Sequence, residues 1–393
     1  MGIRNNFKHT QNACYLGLVT QAVVNNFAPL LFLTFQNTYH ISLDKIALLI
    51  TINFGIQLMV DLLAVKVVDR IGYRICAVAG HVFAALGLVG LSILPGLFAD
   101  AYYGLLLSVF LYAFGGGLLE VLISPIMEAC PTEHKSKAMS LLHSFYCWGH
   151  VAVVLLSTLF FTLAGQANWQ ILACLWAAVP LMNALYFSLV PINTLVEEEN
   201  KIPVRKILTG KWFWVFALLI FCSGAAEQSM SQWASAFAEM GLKVSKTMGD
   251  LAGPCLFAVL MGLSRTFYAK FGEKIDLHKF IAASGVLCIA SYLIAVFSPW
   301  PLLSLAGCGL CGLSVGIFWP GTYSIAAHSH PAGGTAMFAL LAFAGDVGCS
   351  LGPTLVGFVS NAMGGELKAG LLAAVVFPLL LVIGVRYSKR VKA

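Results

Sequence analysis

The amino-acid sequence predicts an all-α membrane protein with twelve transmembrane helices in two pseudo-symmetric six-helix bundles. Its 393 residues are 59% hydrophobic and 10% charged, and the mean hydropathy is +0.86, whereas soluble domains are about a quarter charged. Twelve apolar stretches each reach the roughly 20 residues that a helix needs to cross a bilayer, and one charged segment divides them into two sets of six. Because lipid offers the backbone no hydrogen-bond partner, each stretch must be a helix.

The positions of these stretches predict the domain boundaries. We expect an N-terminal bundle over residues 1–190, a cytoplasmic linker over 191–211 and a C-terminal bundle over 212–393. The predicted spans of the first bundle are residues 12–38, 46–66, 74–95, 102–128, 137–163 and 169–190. Those of the second bundle are residues 212–237, 247–271, 279–298, 302–327, 335–361 and 369–386.

The distribution of basic residues predicts the orientation in the membrane. With the N-terminus inside, all Lys and Arg residues lie on the cytoplasmic side except Lys45, Lys243, Lys246 and Lys368. Such a bias sets the orientation of membrane proteins, so both termini and the linker are expected in the cytoplasm. The short loops favour a bacterial plasma membrane. The net charge of +6 reflects this topology, so we expect contact with membrane lipid and no nucleic-acid partner.

The sequence carries no motif for enzymatic chemistry. A nucleotide-binding loop, a metal cluster and a nucleophile–base motif are all lacking, so we expect neither an enzyme nor a cofactor, and no ATP-driven transport by this chain alone. Cys308 and Cys311 form a C-x-x-C inside an apolar helix. We interpret them as small packing residues rather than as a redox or metal pair. A chain made almost entirely of spans is expected to move a small molecule across the membrane.

Two spans in corresponding positions of the halves carry a glycine run followed by a proline. Span 4 has Gly115–Gly117 and then Pro125, and span 10 has Gly312 and Gly316 and then Pro320. Interrupted helices in matching positions of two repeats point to a binding site at the repeat interface, although proline is also generally common in membrane helices.

A charged loop follows the second span of each half. It reads Asp69-Arg70-Ile71-Gly72-Tyr73-Arg74 after span 2, and a weaker counterpart runs from Lys270 to Lys274 after span 8. This loop, in a chain of twelve spans, resembles the cytoplasmic motif of the major facilitator superfamily. In that superfamily the loop charges bridge neighbouring helix ends and help hold the outward-open state. The resemblance implies a gating role for Asp69, Arg70, Gly72 and Arg74.

Three further segments resemble the fucose–proton symporter family of sugar carriers. Span 4 has Glu120 five residues before Pro125, with Ser124 where that family usually has Asn. Span 10 has a segment from Trp319 to Ser324 that is similar to the family's F-P-T-x-F-S. In span 1, Asn25-Asn26 stands in place of an Asn-Asp pair, so a carboxylate function at that point is not carried over.

Four carboxylates lie inside predicted spans: Asp61, Glu120, Glu227 and Asp346. A charge at mid-bilayer costs at least ~2.5–3.5 kcal/mol on insertion scales, so such residues usually mark function. Glu120 has no Lys or Arg nearby in the sequence, and a buried carboxyl without a cation can carry a proton. We therefore predict proton coupling by Glu120, with Asp346 as a second protonation site or a structural acceptor. For Asp61 we favour a structural role near Lys66.

The most polar stretch inside any span surrounds Glu227 and runs to Trp233 in span 7. Glu227 and Ser231 share one helical face, and Gln228 and Gln232 share the next. Amides and a carboxylate beside an indole suit a polyhydroxyl ring or an amine, while the alternative is a polar contact between helices. The predicted substrate-binding residues are Asn25, Asn26, Glu227, Gln228, Trp233, Trp319 and Tyr323.

These observations predict a secondary transporter that works by alternating access and moves a small polar solute, sugar-like by resemblance, in symport with protons. Sodium could replace the proton. The alternative is a proton-coupled antiporter that exports an amphipathic or cationic compound. A receptor or scaffold with a transporter fold is a third class, against which the intramembrane acids argue. His143 and His150 on span 5 are secondary candidates for coupling, because histidine titrates near neutrality.

Overall fold

The computed structural model describes residues 3–131, 135–193, 204–271, 275–329 and 334–388. This part of the chain is helical and contains no strand. Twelve segments are long and apolar enough to cross a membrane, which confirms the predicted fold class. The span boundaries differ from the predicted ones by a few residues; span 1, for example, begins at Phe7 rather than at residue 12.

Seven helices form the first six spans. In chain order, with the two pieces of span 1 given first, they are Phe7–Asn26, Phe32–Tyr39, Leu43–Ile71, Tyr73–Ile93, Ala101–Glu128, Lys135–Ala164 and Trp169–Leu189. A short helix, Val204–Thr209, precedes span 7. The helices of spans 7 to 12 are Lys211–Ala236, Lys246–Asp250 with Leu256–Phe271, Leu277–Phe297, Pro301–Val315 with Phe318–Ser329, Gly334–Ala362, and Leu367–Ala373 with Val376–Ser388.

The chain divides by contact density into two units. Unit 1 comprises Met1–Ile41 and Ile52–Val196, and unit 2 comprises Ser42–Thr51 and Glu197–Ala393. Within unit 2, Ser350 Oγ donates to the Thr51 carbonyl oxygen at 3.2 Å, and the hydroxyls of Thr51 and Thr354 are hydrogen-bonded. The first turns of the helix Leu43–Ile71 therefore pack with span 11.

Glycines of span 4 let the other helices of unit 1 approach closely. A Cβ added to Gly115 would overlap the backbone of Gly80 and Ala84 on span 3, and one added to Gly117 would lie 2.9 Å from the Gln57 Cα on span 2. Small residues at helix contacts are the usual means of close packing in membranes. The glycine run thus brings Gln57 against span 4.

Span 10 uses its glycines in the same way within unit 2. A Cβ added to Gly312 would overlap the Phe257 carbonyl, and one added to Gly316 would lie 2.7 Å from the Ser264 Cβ. Both neighbours belong to span 8, just as Gly117 of span 4 meets span 2. The same pair of spans is therefore in glycine-mediated contact in each half.

The two prolines that follow these glycine runs act differently. Span 4 continues as one helix through Pro125, whereas span 10 is interrupted between Val315 and Phe318. Pro320 lies in the first turn of the second piece, where backbone N–H groups have no acceptor within the helix, so the N–H that proline lacks is not needed there. The predicted interruption therefore occurs in span 10 and not in span 4.

Spans 7 and 11 pack closely within unit 2. A side chain at Gly348 would overlap the Phe221 carbonyl, and one at Gly352 would lie 2.5 Å from the Ala225 carbonyl oxygen. The prediction that small residues at 348 and 352 admit another helix is confirmed, and that helix is span 7.

Candidate functional site

A cluster of buried amides lies between spans 1 and 2 in unit 1. Gln57 Nε2 donates to Asn25 Oδ1 at 2.9 Å, and Asn53 Nδ2 donates to the same oxygen at 3.2 Å. Gln21 Nε2 donates to Gln57 Oε1 at 2.8 Å. All four side chains are at most 6% exposed. We call Gln21, Asn25, Asn53 and Gln57 the amide cluster.

Glu120 adjoins the amide cluster from span 4. Its Oε2 accepts a hydrogen bond from Gln21 Nε2 at 3.1 Å, and its side chain is exposed, unlike those of the amides. A carboxylate at this depth cannot face lipid cheaply, so its open side requires a water-accessible surface. Within the described residues, no salt bridge reaches Glu120.

The two predicted span 1 residues differ in their surroundings. Asn25 is held in the amide cluster, where its oxygen accepts from two side chains. Asn26 Nδ2 donates to the Ala22 carbonyl one turn earlier at 2.9 Å and to Tyr146 Oη at 3.4 Å. Both are buried, so of the unit 1 candidates Glu120 offers the most accessible polar group.

Glu227 pairs with a cation from the neighbouring span of unit 2. Arg265 Nη2 of span 8 lies 3.5 Å from Glu227 Oε2. The Glu227 side chain is 10% exposed and that of Arg265 is 23% exposed, so the arginine is the more accessible member of the pair. The contact between helices, weighed as the alternative for Glu227, is present. The sequence analysis missed Arg265 as its partner, although a basic residue inside a span was a usable signal.

Beside this pair, Gln232 Nε2 donates to Gln228 Oε1 at 3.0 Å, one helical turn apart. Both glutamines are buried. Tyr292 Oη of span 9 donates to the Ala226 carbonyl at 2.8 Å, which anchors span 7 where the polar stretch begins. Span 7 thus presents Gln228 and Gln232 as a pair held in one orientation.

Trp233 was predicted to bind substrate, but the structure buries it completely. Its Nε1 donates to the Pro353 carbonyl at 2.9 Å, and its ring lies against Gly357. A buried indole N–H needs an acceptor, and the Pro353 carbonyl supplies one. In this structure Trp233 therefore joins span 7 to span 11 instead of lining an open surface.

Trp319 and Tyr323 are both partly exposed on span 10. Their ring centroids are 6.3 Å apart, and the Trp319 ring rests on Gly345, where a side chain would collide with it. The neighbouring Asp346 is buried. The structure thus brings Trp319, Tyr323 and the segment around Asp346 together in unit 2.

Most of the predicted gating motif is helical, and Gly72 is the one residue between the helices Leu43–Ile71 and Tyr73–Ile93. Gly72 joins two helices with φ = +97°, a conformation that favours glycine. Arg74 Nη1 donates to the carbonyls of Phe187 and Ser188 at 3.1 and 2.9 Å. A cation at the C-terminal end of a helix satisfies unpaired carbonyls and complements the helix dipole, so Arg74 fastens span 3 to the end of span 6.

The structure gives less information on the other residues of the two loops. Arg70 is exposed. The side chains of Asp69 and Asp61 lie outside the described part of the structure, as do residues 272–274 of the second loop.

A buried charge cluster that the sequence analysis did not anticipate connects spans 7 and 8. Lys246 Nζ lies 3.1 Å from both Glu239 Oε1 and Asp250 Oδ2, and Ser235 Oγ donates to Asp250 Oδ1 at 2.5 Å. Asp250 is fully buried. The sequence analysis treated Lys246 as a loop charge, but the turn between the spans folds it inward onto two carboxylates.

Two further contacts involve a histidine and a pair of cysteines. His150 is buried and His143 is exposed, while His81, which the sequence analysis overlooked, bonds Asn183 at 2.7 Å. Cys311 Sγ lies 3.9 Å from Cys288 Sγ of span 9. No group of three metal-binding side chains occurs among the described residues.

The comparison with protein families is decisive for the fold and the class. Residues 13–353 match the model of the Major Facilitator Superfamily. The chain belongs to the major facilitator superfamily. Members of this superfamily are membrane transporters that bind small-molecule substrates, and this member is a multi-pass membrane protein.

Similar proteins agree with this assignment. The superfamily member is 22% identical over 259 residues to the membrane protein MosC of Rhizobium meliloti. That match covers 66% of the chain and 62% of MosC, so the chain spans less than two thirds of that relative.

Solved structures with the same fold include a bacterial homologue of the human lysosomal transporter Spinster, with a TM-score of 0.81 at 15% identity, covering 99% of this chain and 98% of that one. The fucose:proton symporter FucP of E. coli has a TM-score of 0.65 at 18% identity, covering 96% and 98%. At these identities the likeness shows the fold alone.

Proposed function

We propose that this transporter carries a small polar, sugar-like solute in symport with protons, and that Glu120 is the protonation site. The observation that carries the proposal is the environment of Glu120. It is a carboxylate inside a span with an exposed side chain, it accepts a hydrogen bond from the neutral amide of Gln21, and it is unpaired with any cation among the described residues. Such a group can gain and lose a proton without breaking a salt bridge.

The second part of the proposal is a substrate surface made of amides and aromatic rings. In unit 2, Gln228, Trp319 and Tyr323 supply hydrogen-bonding groups and ring faces, and Glu227 with Arg265 supplies a charged pair. A polyhydroxyl solute uses both kinds of group, since hydroxyls pair with amides while C–H surfaces pack on rings. In unit 1, the proposed binding residues are Asn25 and Asn26. For Trp233 we propose a positioning role, through its bond to span 11.

The likeness to FucP supports this choice, because that protein is a fucose:proton symporter and the E-x-x-x-x-P and W-P-x-T-x-S segments of this chain are similar to those of its family. Asp346 is proposed as a second protonation site. We further propose a plasma-membrane location with both termini in the cytoplasm, as the Lys and Arg distribution indicates.

The second candidate is a proton-coupled antiporter that exports an amphipathic or cationic compound. The buried acids of unit 2 favour it: Glu227, Asp346 and Asp250 are each at most 8% exposed, and a cationic substrate could displace Arg265 from Glu227. Sodium as the coupling ion is a third possibility for the same site.

The test uses purified protein in liposomes. A thermal-shift screen of sugars, amino acids, nucleosides and amines selects a radiolabelled solute, whose movement is then measured under an imposed pH gradient. Proton symport predicts that the solute accumulates on the alkaline side and that a protonophore abolishes this accumulation. If sodium is the coupling ion instead, a sodium gradient will drive accumulation. Accumulation on the acidic side would support antiport instead. The absence of counterflow for every solute that binds would contradict transport as such.

A further inference from the structure

One polar atom of the amide cluster has no partner. Gln21 is 4% exposed, and its Nε2 donates to both Gln57 and Glu120, but its Oε1 is buried without a hydrogen bond. A buried acceptor left unpaired costs about 1–3 kcal/mol. A group that donates a hydrogen bond to Gln21 Oε1 would therefore stabilise the cluster.

The orphan oxygen lies next to Glu120. A Cβ built on Gly116 would be 3.1 Å from Gln21 Oε1, and Gly116 is one helical turn before Glu120 on the same face of span 4. Side chains on a helix lean toward its N-terminus, so Glu120 leans over Gly116. Because Gly116 has no side chain, nothing on that helix separates the Glu120 carboxyl from Gln21 Oε1.

The chemistry of the pair then depends on one proton. A carboxylate only accepts hydrogen bonds, whereas a protonated carboxyl also donates one. Carboxylate Glu120 takes one bond from Gln21 Nε2 and leaves Oε1 unpaired, as observed. Protonated Glu120 can donate its O–H to Gln21 Oε1 while its carbonyl oxygen still accepts from Nε2, which gives two bonds and pairs the orphan atom.

The remaining amides hold Gln21 in the required orientation. Asn25 Oδ1 accepts from Gln57 Nε2, which directs Gln57 Oε1 toward Gln21 Nε2. A flipped Gln21 would place its oxygen against that of Gln57. The direction of each bond in the cluster therefore presents the Gln21 amide to Glu120 with both its donor and its acceptor available.

We propose that Gln21 is a positioning residue that distinguishes the two protonation states of Glu120, binding the protonated carboxyl through both atoms of its amide and the carboxylate through one. This rests on the proposed role of Glu120 as the protonation site. Gln57 and Asn25 keep the Gln21 amide oriented, and Gly116 leaves the space in which the two groups meet.

Other titratable groups occur on the helices around this pair. They include Tyr15 on span 1, His81 on span 3, Tyr112 on span 4, and His143, Tyr146 and His150 on span 5; the side chains of Asp61 and Glu128 lie outside the described part. His81 is bonded to Ala77 and Asn183, and Tyr146 to Asn26. The experiment must therefore identify the signal of Glu120 itself.

Infrared difference spectroscopy of the purified full-length protein between acidic and alkaline buffer provides that signal. The carbonyl band of protonated Glu120 is the band lost in Glu120→Gln. We expect Gln21→Met to move this band to higher wavenumber, because the carboxyl loses its hydrogen bonds. Gln21→Asn, which stays polar but is one methylene too short, should move it in the same direction. The matched control is Gln166→Met, since the Gln166 amide donates to the Thr34 hydroxyl at 2.7 Å and lies outside the amide cluster, and it should leave the band unchanged.

The outcomes separate the two proposals. If no carbonyl band disappears in Glu120→Gln, Glu120 does not titrate and the proposed coupling site is wrong. If the band is present but unmoved in both Gln21→Met and Gln21→Asn, Glu120 titrates without help from Gln21, and this inference is overturned while the proposed function stands.

Discussion

Arg265 of span 8 and Glu227 of span 7 form an ion pair across two helices of unit 2, with 3.5 Å between Nη2 and Oε2. The pair sits in the most polar stretch of the membrane-spanning chain, beside Gln228. Unit 1 differs, because Glu120 is bonded there by a neutral amide. The two units thus hold intramembrane carboxylates with different partners, a cation in unit 2 and a neutral amide in unit 1.

Removing Arg265 should destabilise the protein. Arg265→Met leaves Glu227 buried without its cation, and breaking a buried pair costs about 3 kcal/mol. Thermal unfolding in detergent measures the loss. The double variant Arg265→Met with Glu227→Gln should recover most of it, since no uncompensated charge remains. Equal destabilisation in the single and double variants would mean that the pair is not coupled.

Glu120→Gln should abolish accumulation driven by a pH gradient while substrate-for-substrate exchange continues. The amide keeps the shape of the side chain but cannot carry a proton. Uptake and counterflow in liposomes measure the two activities separately. Glu366→Gln, at an exposed position, is the control and should retain both. Unchanged accumulation in Glu120→Gln would transfer the coupling role to Asp346 or His150, or point to sodium.

Gln228→Leu should weaken substrate binding at least ~10-fold, about 1.4 kcal/mol. A hydrogen bond to the solute is lost, and Gln232 loses its acceptor as well. Glu227→Gln is expected to weaken binding similarly, but its effect includes the broken pair with Arg265, so Gln228 gives the cleaner measurement. Binding is followed by competition with the labelled solute, with Gln166→Leu as the control. A dissociation constant within twofold of the wild-type value would remove Gln228 from the site.

Trp233→Phe should lower the free energy of unfolding by about 0.5–1.5 kcal/mol, because the hydrogen bond between the indole N–H and the Pro353 carbonyl is lost. Denaturant or thermal unfolding checks the stability change. Trp214→Phe, at an exposed position on the same helix, is the control. Wild-type stability combined with weakened substrate binding would favour the original expectation that Trp233 contacts the solute.

The orientation is tested by labelling with a membrane-impermeant thiol reagent. Cys174 is exposed whereas the other ten cysteines are buried, so the Cys174→Ser variant should show little background labelling. Cysteines introduced at Lys201 and Lys389 should react only from the cytoplasm, and one at Asn168 only from outside. Labelling of position 201 from outside would reverse the proposed topology.

The fold could be predicted from the sequence because its cause is local. A bilayer requires each span to satisfy its own backbone hydrogen bonds, so composition and length alone reveal twelve helices. The close approach of another helix to span 11 was also predictable, since Gly348 and Gly352 leave room for a neighbour, but only the structure shows that this neighbour is span 7.

The site could be predicted only as a set of residues. Glu120 and Glu227 stand out in sequence for the same reason, a carboxylate inside a span, yet the structure gives them different partners. Arg265 is 38 positions from Glu227, and Gln21 is 99 positions from Glu120. Likewise, Trp233 looked like a ligand-binding aromatic until helix packing placed it against Pro353.

The sequence by itself therefore determined which segments cross the membrane and which polar groups enter it, because the cost of leaving water depends on each residue alone. Only the tertiary structure decided which of those groups meet. Hydrogen bonds and ion pairs act over about 3 Å, and the packing of helices far apart in the chain sets those distances.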